Sequence, residues 1–161
     1  MIDKEDYVTS KAGIVIKYNG SFDLDKLYKD IKAWFDNNSY DFDEKEYKEK
    51  RQAHGDEILI EFICERKIDD YIRFNLRIKF LMLNVKKLSK GHYIGNFRAN
   101  IAAFIEFDYN NEWQYNPIKK ILFFIYNNFI IKNKIEGVYE DKLYNDVLSF
   151  EKLIKEHLGM L

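Results

Sequence analysis

Charged and apolar side chains alternate along the stretch ERKIDDYIRFNLRIKF, residues 65–80. Arginine is well suited to bind carboxylates or phosphates, because its planar guanidinium donates paired hydrogen bonds. Two kinds of chemistry are therefore open to Arg73 and Arg77. They can contact a nucleic-acid backbone, or they can form cross-strand ion pairs with Glu61 and Glu65 inside a sheet.

The turn KIDD predicts that the strands on either side of it pair as a hairpin. One register sets Glu65 opposite Arg73 and Glu61 opposite Arg77 on the outer face, with apolar pairs on the inner face. Moving the partner strand by two residues instead places Lys67 opposite Arg73, and like charges in that position are unfavourable. We therefore predict the first register.

A later strand should bring further charged residues to the same face. The candidate interaction face consists of Glu61, Glu65, Arg73, Arg77, Arg98 and Glu106. The whole chain has 26 basic and 27 acidic side chains, a net charge of −1, and offers a polyanion no general attraction. This balance argues against nucleic acid as a partner, and we expect the glutamates to neutralise the arginines.

Other residue types with possible chemistry give weaker signals. His54 and His92 lie in turns at one end of the predicted sheet, beside carboxylates, and such groups can bind a metal. Their spacing matches no common metal motif, so we expect polar turns and no metal. Cys64 falls on the apolar side of its strand, which is typical of a small core residue rather than a nucleophile.

Patterns that mark common enzymes are missing from the sequence. It contains no glycine-rich phosphate loop and no serine in a nucleophile-elbow context. Paired acids such as Asp69 and Asp70 fall in turns, where solvation explains them. We therefore predict a protein that is not an enzyme and needs no cofactor.

The apolar pattern changes from strand to helix spacing along the chain. Predicted elements are a strand at 12–20, a helix at 24–35 with Ser21 or Asp23 as N-cap, an edge strand at 40–51, strands at 57–67, 71–82 and 97–109 with a loop at 86–96, and two helices beginning at Pro117 and after Gly137. Strands with short connections favour an antiparallel meander.

These elements predict one α+β domain over residues 1–161, in the order β-α-β-β-β-β-α-α. One face of a sheet of about five antiparallel strands would be covered by the N-terminal helix and two C-terminal helices. The order resembles the helix-grip architecture of lipid-binding and cyclase-like domains. This resemblance implies a cavity for a small hydrophobic ligand, with Trp34, Phe62, Phe74, Phe104 and Phe107 as contributors. Phe104 would face this cavity only if its strand contains a bulge.

The segment 117–131 is the most apolar part of the chain. Its residues Ile118, Ile121, Leu122, Ile125, Tyr126 and Phe129 share one helix face, which we predict to pack on the core. Phe124 and Ile131 lie on the far side, where they either pack under the final helix or contact a partner. The segment is too short and too interrupted by polar residues to span a bilayer, which needs ~20 apolar residues.

Composition and pattern together predict a soluble globular protein, with 47% apolar and 33% charged residues. The N-terminus lacks a signal-peptide pattern, so we expect a cytoplasmic location. We predict a structural or assembly protein that binds a protein partner or forms a homo-oligomer, using the charged sheet face and the apolar C-terminal helices. The alternative is a binding domain for a small hydrophobic ligand.

Overall fold

A computed structural model describes residues 4–113, 115–132 and 135–161 of the chain. Within these residues the order is β-β-α-β-β-β-β-α-α, which confirms the α+β class. The strands are β1 (Glu5–Tyr7), β2 (Ile14–Asp23), β3 (Asp41–Lys50), β4 (Asp56–Lys67), β5 (Ile72–Ser89) and β6 (His92–Phe107), and the helices are α1 (Leu24–Asn37), α2 (Pro117–Ile125) and α3 (Glu140–His157). Two π-helical segments, Tyr126–Ile131 and Ile135–Tyr139, lie between α2 and α3.

The described strands form one antiparallel sheet, in which β3 to β6 follow one another as the predicted meander. The other edge of β6 pairs with two successive strands, β2 beside residues 92–101 and β1 beside residues 104–106. The sequence pattern did not predict β1, because its three residues show no apolar alternation. The sheet therefore has six described strands rather than five.

The hairpin between β5 and β6 is longer than the sequence predicts. Residues 86–96 were expected to form a loop, but β5 continues to Ser89 and β6 begins at His92. The turn consists of Lys90 and Gly91, and Gly91 has a φ of 76°, in the left-handed region that glycine adopts without strain. Two register shifts in this hairpin interrupt the side-chain alternation, which is why the prediction was wrong.

The β4–β5 hairpin has the register that places Lys67 opposite Arg73, which was predicted to be unfavourable. The observed pairs are Lys67–Arg73, Glu65–Asn75, Ile63–Arg77 and Glu61–Lys79. Neither Glu65–Arg73 nor Glu61–Arg77 is a direct cross-strand pair, so this prediction was wrong. The like charges of Lys67 and Arg73 are tolerated because Lys67 is exposed and Arg73 has other partners.

The turn of this hairpin explains its register. The Asp69 carboxylate accepts hydrogen bonds from the backbone N–H groups of Tyr71 and Ile72, at 2.8 and 2.7 Å. The Ile68 N–H donates to the Ile72 carbonyl at 3.0 Å and closes the turn. Because turn geometry fixes the register of a hairpin, these local bonds outweigh one unfavourable pair of exposed charges.

Helices α1 and α3 cover the inner face of the sheet. Asp23, one of the two predicted N-cap candidates, is the N-cap of α1, and its side chain accepts from the Lys26 N–H at 3.0 Å. Leu27, Ile31 and Phe35 of α1 are buried in the same cluster as the inner side chains of the sheet. The predicted stripe of α3 is also buried; it consists of Leu143, Val147, Phe150, Ile154 and Leu158.

Helix α2 packs against the β4–β5 turn rather than on the inner face of the sheet. The Phe123 ring lies 5.8 Å from the Tyr71 ring, and the Tyr126 ring lies 5.9 Å from the Trp113 ring. The predicted core face of this segment is exposed except at Tyr126, so that prediction was wrong. Helical spacing shows which residues share a face but not what that face contacts, and here Phe123 and Tyr126 hold the helix along one edge of the predicted face.

A buried hydrogen bond joins the start of β3 to α3 and gives a first testable prediction. The Tyr40 hydroxyl donates to the Asp146 carboxylate at 2.8 Å, and Lys142 donates to its other oxygen at 2.7 Å. Burial, with the carboxylate beside it, raises the pKa of Tyr40, which keeps the hydroxyl a donor. Tyr40→Phe should lower the free energy of unfolding by about 1–3 kcal/mol in urea titrations, because Asp146 then loses a partner.

The control for this prediction is the equivalent change at an exposed tyrosine. Tyr115 is exposed, so Tyr115→Phe should leave the urea midpoint unchanged. Equal stability of wild type and Tyr40→Phe would show that the buried hydroxyl contributes nothing to the fold.

Cys64 lies in the core, as predicted. It is buried between Phe42 of β3 and Leu76 of β5, and burial raises the pKa of its thiol well above the usual value. Because the thiolate is the reactive form, an aromatic disulfide reagent should label Cys64 only after unfolding. The labelling is measured by absorbance. If the native protein were labelled rapidly at neutral pH, Cys64 would not be buried as the structure shows.

Candidate functional site

The outer face of the sheet carries the predicted interaction face, and its charges separate into two halves. In the neutral half, Arg73 contacts two carboxylates: Nη2 donates to Glu106 Oε2 at 2.6 Å and Nη1 donates to Glu65 Oε2 at 3.2 Å. Asn75 Nδ2 also donates to Glu106 Oε2, at 3.1 Å. Glu106 lies directly opposite Arg73, whereas Glu65 reaches it diagonally. The expected neutralisation is therefore confirmed for Arg73.

Arg77 lies in the other half and has different surroundings. Its direct cross-strand neighbours are Ile63 and Ala102, and its guanidinium lies 4.8 Å from the centre of the Phe104 ring. Glu61, its predicted partner, instead approaches Lys79 at 3.9 Å. The change of register has thus separated Arg77 from the carboxylate that was expected to neutralise it.

Arg98 is the second arginine of this face with no carboxylate directly opposite it on an adjacent strand. It lies opposite Leu81 on β5 and opposite Lys17 on β2. Among the residues that the structure describes, no carboxylate forms an ion pair with Arg98. Like charges directly opposite each other are unfavourable in a sheet, so the Lys17–Arg98 pair needs a physical explanation.

These residues border a cavity of about 550 Å³ on the outer face, which we call the basic groove. Its described lining includes the cations Lys11, Lys45, Arg77, Lys79 and Arg98. Glu61 is the one carboxylate among the described lining residues, and it already contacts Lys79. Small and apolar residues such as Ala102 and Leu81 complete the lining. The volume lies within the range of ~300–1,000 Å³ that is usual for small-molecule sites.

The rings proposed for a hydrophobic-ligand cavity are all buried. These rings are Trp34, Phe62, Phe74, Phe104 and Phe107. Trp34 packs against Phe150 with ring centroids 5.2 Å apart, and Phe62 packs against Phe80 at 5.5 Å. Phe104 belongs to the outer face, where the Tyr7 ring lies 4.9 Å away. These contacts are typical of core packing, and the ligand-binding alternative stays a prediction.

The exposed apolar side chains of α2 and the segment after it form the second candidate surface. We call this surface the apolar stripe; it consists of Ile118, Ile121, Leu122, Ile125 and Phe129. Phe124, predicted to lie on the far side, is also exposed, whereas the side chain of Ile131 lies outside the described part of the structure. Lys119 flanks the stripe, whereas Lys120 lies on the opposite side of the helix. Exposed apolar residues at helical spacing make this surface a candidate interaction site.

His92 and His157 each lie beside a carboxylate. His92 Nε2 lies 3.3 Å from Asp23 Oδ2, and His157 Nδ1 lies 3.5 Å from Asp30 Oδ2. The backbone hydrogen bond from Lys26 lowers the pKa of Asp23, with both histidines contributing. Within the described ranges, no group of three histidine, cysteine or acidic residues is arranged to hold a metal ion.

Comparison with known proteins gives no match to a family model, to a curated protein or to a solved structure. Function therefore has to be inferred from the surfaces of this chain. Among the helices of the described residues, none combines the length and apolar character needed to cross a membrane.

Sequence reasoning found Arg77 and Arg98 but missed the lysines of the basic groove. Lys79 follows Arg77 in the same alternation, so this signal was present in the sequence. Lys11 and Lys45 come from the far edges of the sheet, and the cavity that includes them depends on the fold. The predicted pairing of Glu61 with Arg77 also concealed the excess of positive charge.

Proposed function

We propose that this protein is a non-enzymatic assembly protein that pairs with a second copy of itself through the apolar stripe of α2. The observation that carries the proposal is the exposure of the stripe, 73% at Phe129, 69% at Ile118 and 63% at Ile121. Scattered apolar residues are normal on a protein surface, but a contiguous group is typical of an interaction site.

The spacing of the stripe suits helix pairing. Residues at i, i+3, i+4 and i+7 form one ridge along a helix, and two such ridges interlock when helices pack at a small angle. Ile118, Ile121, Leu122 and Ile125 follow this spacing. Phe123, on the other side, is buried against Tyr71 and holds the helix so that the stripe faces outward.

A second copy is the occupant that the charges favour. In an antiparallel pair related by a twofold axis, one contact covers both stripes. Lys119 flanks the stripe and Lys120 lies on the opposite side of the helix, so neither is buried in the contact, and an antiparallel pair keeps the two Lys119 side chains apart. A membrane-surface helix usually has a broad basic face, whereas the inner side of α2 is fixed to Tyr71 through Phe123.

The neutral half of the sheet face has a smaller part in this proposal. Arg73 already bonds to Glu65 and Glu106 within one chain. A partner would gain little from these charges, because exposed ion pairs contribute only ~0.2–1 kcal/mol each.

Cysteine cross-linking tests the proposed pairing. Leu122 lies near the middle of the stripe, so Leu122→Cys should place two thiols close to the twofold axis and give a covalent dimer with a short bifunctional thiol reagent. Buried Cys64 should not compete for the reagent. Leu88→Cys, at an exposed apolar position on β5, is the matched control and should remain monomeric on a denaturing gel.

Two results count against the proposal. One is equal cross-linking of Leu122→Cys and Leu88→Cys, which indicates random collision. The other is wild-type protein that stays monomeric at high concentration but sediments with anionic lipid vesicles, since the stripe would then be a membrane contact.

A further inference from the structure

We infer that the basic groove is a binding site for a small polyanion that carries two or more phosphate groups. The site lies on the outer face of the sheet, whereas the assembly proposal concerns α2. The two inferences rest on different residues and can fail separately.

The cations of the groove are placed to act on one ligand. Arg77 and Lys79 follow each other on the same face of β5, so their Cα atoms are separated by about 6.7 Å. Arg98 lies opposite Leu81, which makes it a diagonal neighbour of Lys79, at roughly 7–8 Å. Three cations within reach of one another place more positive charge together than one small monovalent anion would neutralise, which favours a ligand with several negative charges.

The charge imbalance also indicates a missing counterion. Lys17 and Arg98 face each other directly across β2 and β6, although like charges are unfavourable there. The neutral half of the same sheet face gives Arg73 two carboxylates, so pairing within the chain is possible on this scaffold. A bound polyanion would supply the negative charge that the basic half lacks.

The residue types favour phosphate. Arginine donates paired hydrogen bonds that fit phosphate oxygens, and lysine adds a mobile positive charge. The Arg77 guanidinium lies 4.8 Å from the Phe104 ring centre, and this contact orients it. Lys45 already pairs with Asp43, so Arg77 and Arg98 contribute more uncompensated charge to the groove than Lys45 does.

The ends of the groove limit the ligand to a small molecule. On β5 the row of cations stops at Asn75, beyond which Arg73 is neutralised. On β3 the row meets Asp43 and Glu46 beside Lys45. A long nucleic-acid backbone would therefore meet carboxylates in both directions, whereas a short polyphosphate fits between them.

Tripolyphosphate is the probe for this inference, with binding measured by isothermal titration calorimetry at low salt. Arg77→Gln and Arg98→Gln should each weaken its binding about tenfold, which is the loss expected for one charge-assisted contact. Arg51→Gln, at an exposed arginine in the β3–β4 turn, and Lys32→Gln, at an exposed lysine on α1, should bind within about twofold of wild type. Raising the ionic strength should weaken binding to wild type.

Thermal unfolding provides a readout that a purely structural role for Arg98 would not give. Without ligand, Arg98→Gln should keep or raise the Tm, because it removes repulsion from Lys17. With tripolyphosphate, the Tm of wild type should rise and that of the variant should rise less. The experiment is done below the concentration at which the protein self-associates, so failure of one inference does not imply failure of the other.

Three results overturn the inference. They are no detectable binding of tripolyphosphate, equal binding by wild type and both arginine variants, and a strong preference for a 20-nucleotide single strand at equal phosphate concentration. The last result would identify the groove as a nucleic-acid site instead.

Discussion

The double variant Ile121→Glu, Phe129→Glu is expected to convert a self-associating protein into a monomer without unfolding it. Both side chains are mostly exposed in the single chain, at 63% and 73%, so glutamate there should change the free energy of unfolding by no more than ~0.5 kcal/mol. In a dimer the same carboxylates would be buried in an apolar contact without partners. Sedimentation velocity should show a dimer dissociation constant at least a hundredfold higher for the double variant than for the wild type.

Leu88→Glu is the matched control for this experiment. Leu88 is 59% exposed and lies on β5, away from the stripe. It should not change the dimer. If the double variant lost several kcal/mol of stability as a monomer, the stripe would have to pack on the chain's own core, contrary to the structure.

Truncation of Phe150 should have the largest effect on stability. Its ring is fully buried in α3 and lies 5.2 Å from both the Trp34 and the Phe35 rings of α1. Phe150→Ala would remove a contact that joins the two helices over the sheet and leave a cavity. The expected loss is about 3–5 kcal/mol of unfolding free energy, measured by urea denaturation.

The control for this prediction lies on the same helix. Leu148 is 41% exposed, so Leu148→Ala should cost much less than Phe150→Ala and should leave the cooperativity of the transition unchanged. A loss below about 1 kcal/mol for Phe150→Ala would show that α3 does not depend on this contact with α1.

Much of the fold follows from local patterns. The alternation of Ile58, Ile60, Phe62 and Cys64 predicts a half-buried strand, and all four residues are buried in the sheet. The first helical residue at Pro117 was also predicted correctly, and the N-cap, Asp23, was one of the two predicted candidates. These signals depend on neighbours in the sequence, so they can be read without the tertiary structure.

Features that depend on long-range geometry were predicted less well. The register of β4 and β5 was inferred from Glu61, Glu65, Arg73 and Arg77, but the hydrogen bonds of Asp69 in the turn are stronger determinants than exposed charges. Bulges concealed the outer part of the β5–β6 hairpin. In α2 the helical spacing was predicted correctly, but its direction relative to the core depends on two aromatic anchors.

The same error of register concealed the basic groove. With Glu61 assigned to Arg77, the sheet face looks neutral, in agreement with the net charge of −1. With Glu61 beside Lys79, Arg77 and Arg98 are left with no carboxylate partner among the described residues. A balanced total charge is therefore compatible with strong local separation of charge, which only the strand pairing reveals.

The mass of the wild-type protein in solution tests the central claim of self-association most directly. Sedimentation equilibrium over a wide range of concentrations measures this mass independently of shape. The pairing of two apolar stripes predicts a reversible change from one chain of 19.5 kDa to two chains as the concentration rises. A mass that stays at one chain up to the highest concentration would contradict the claim.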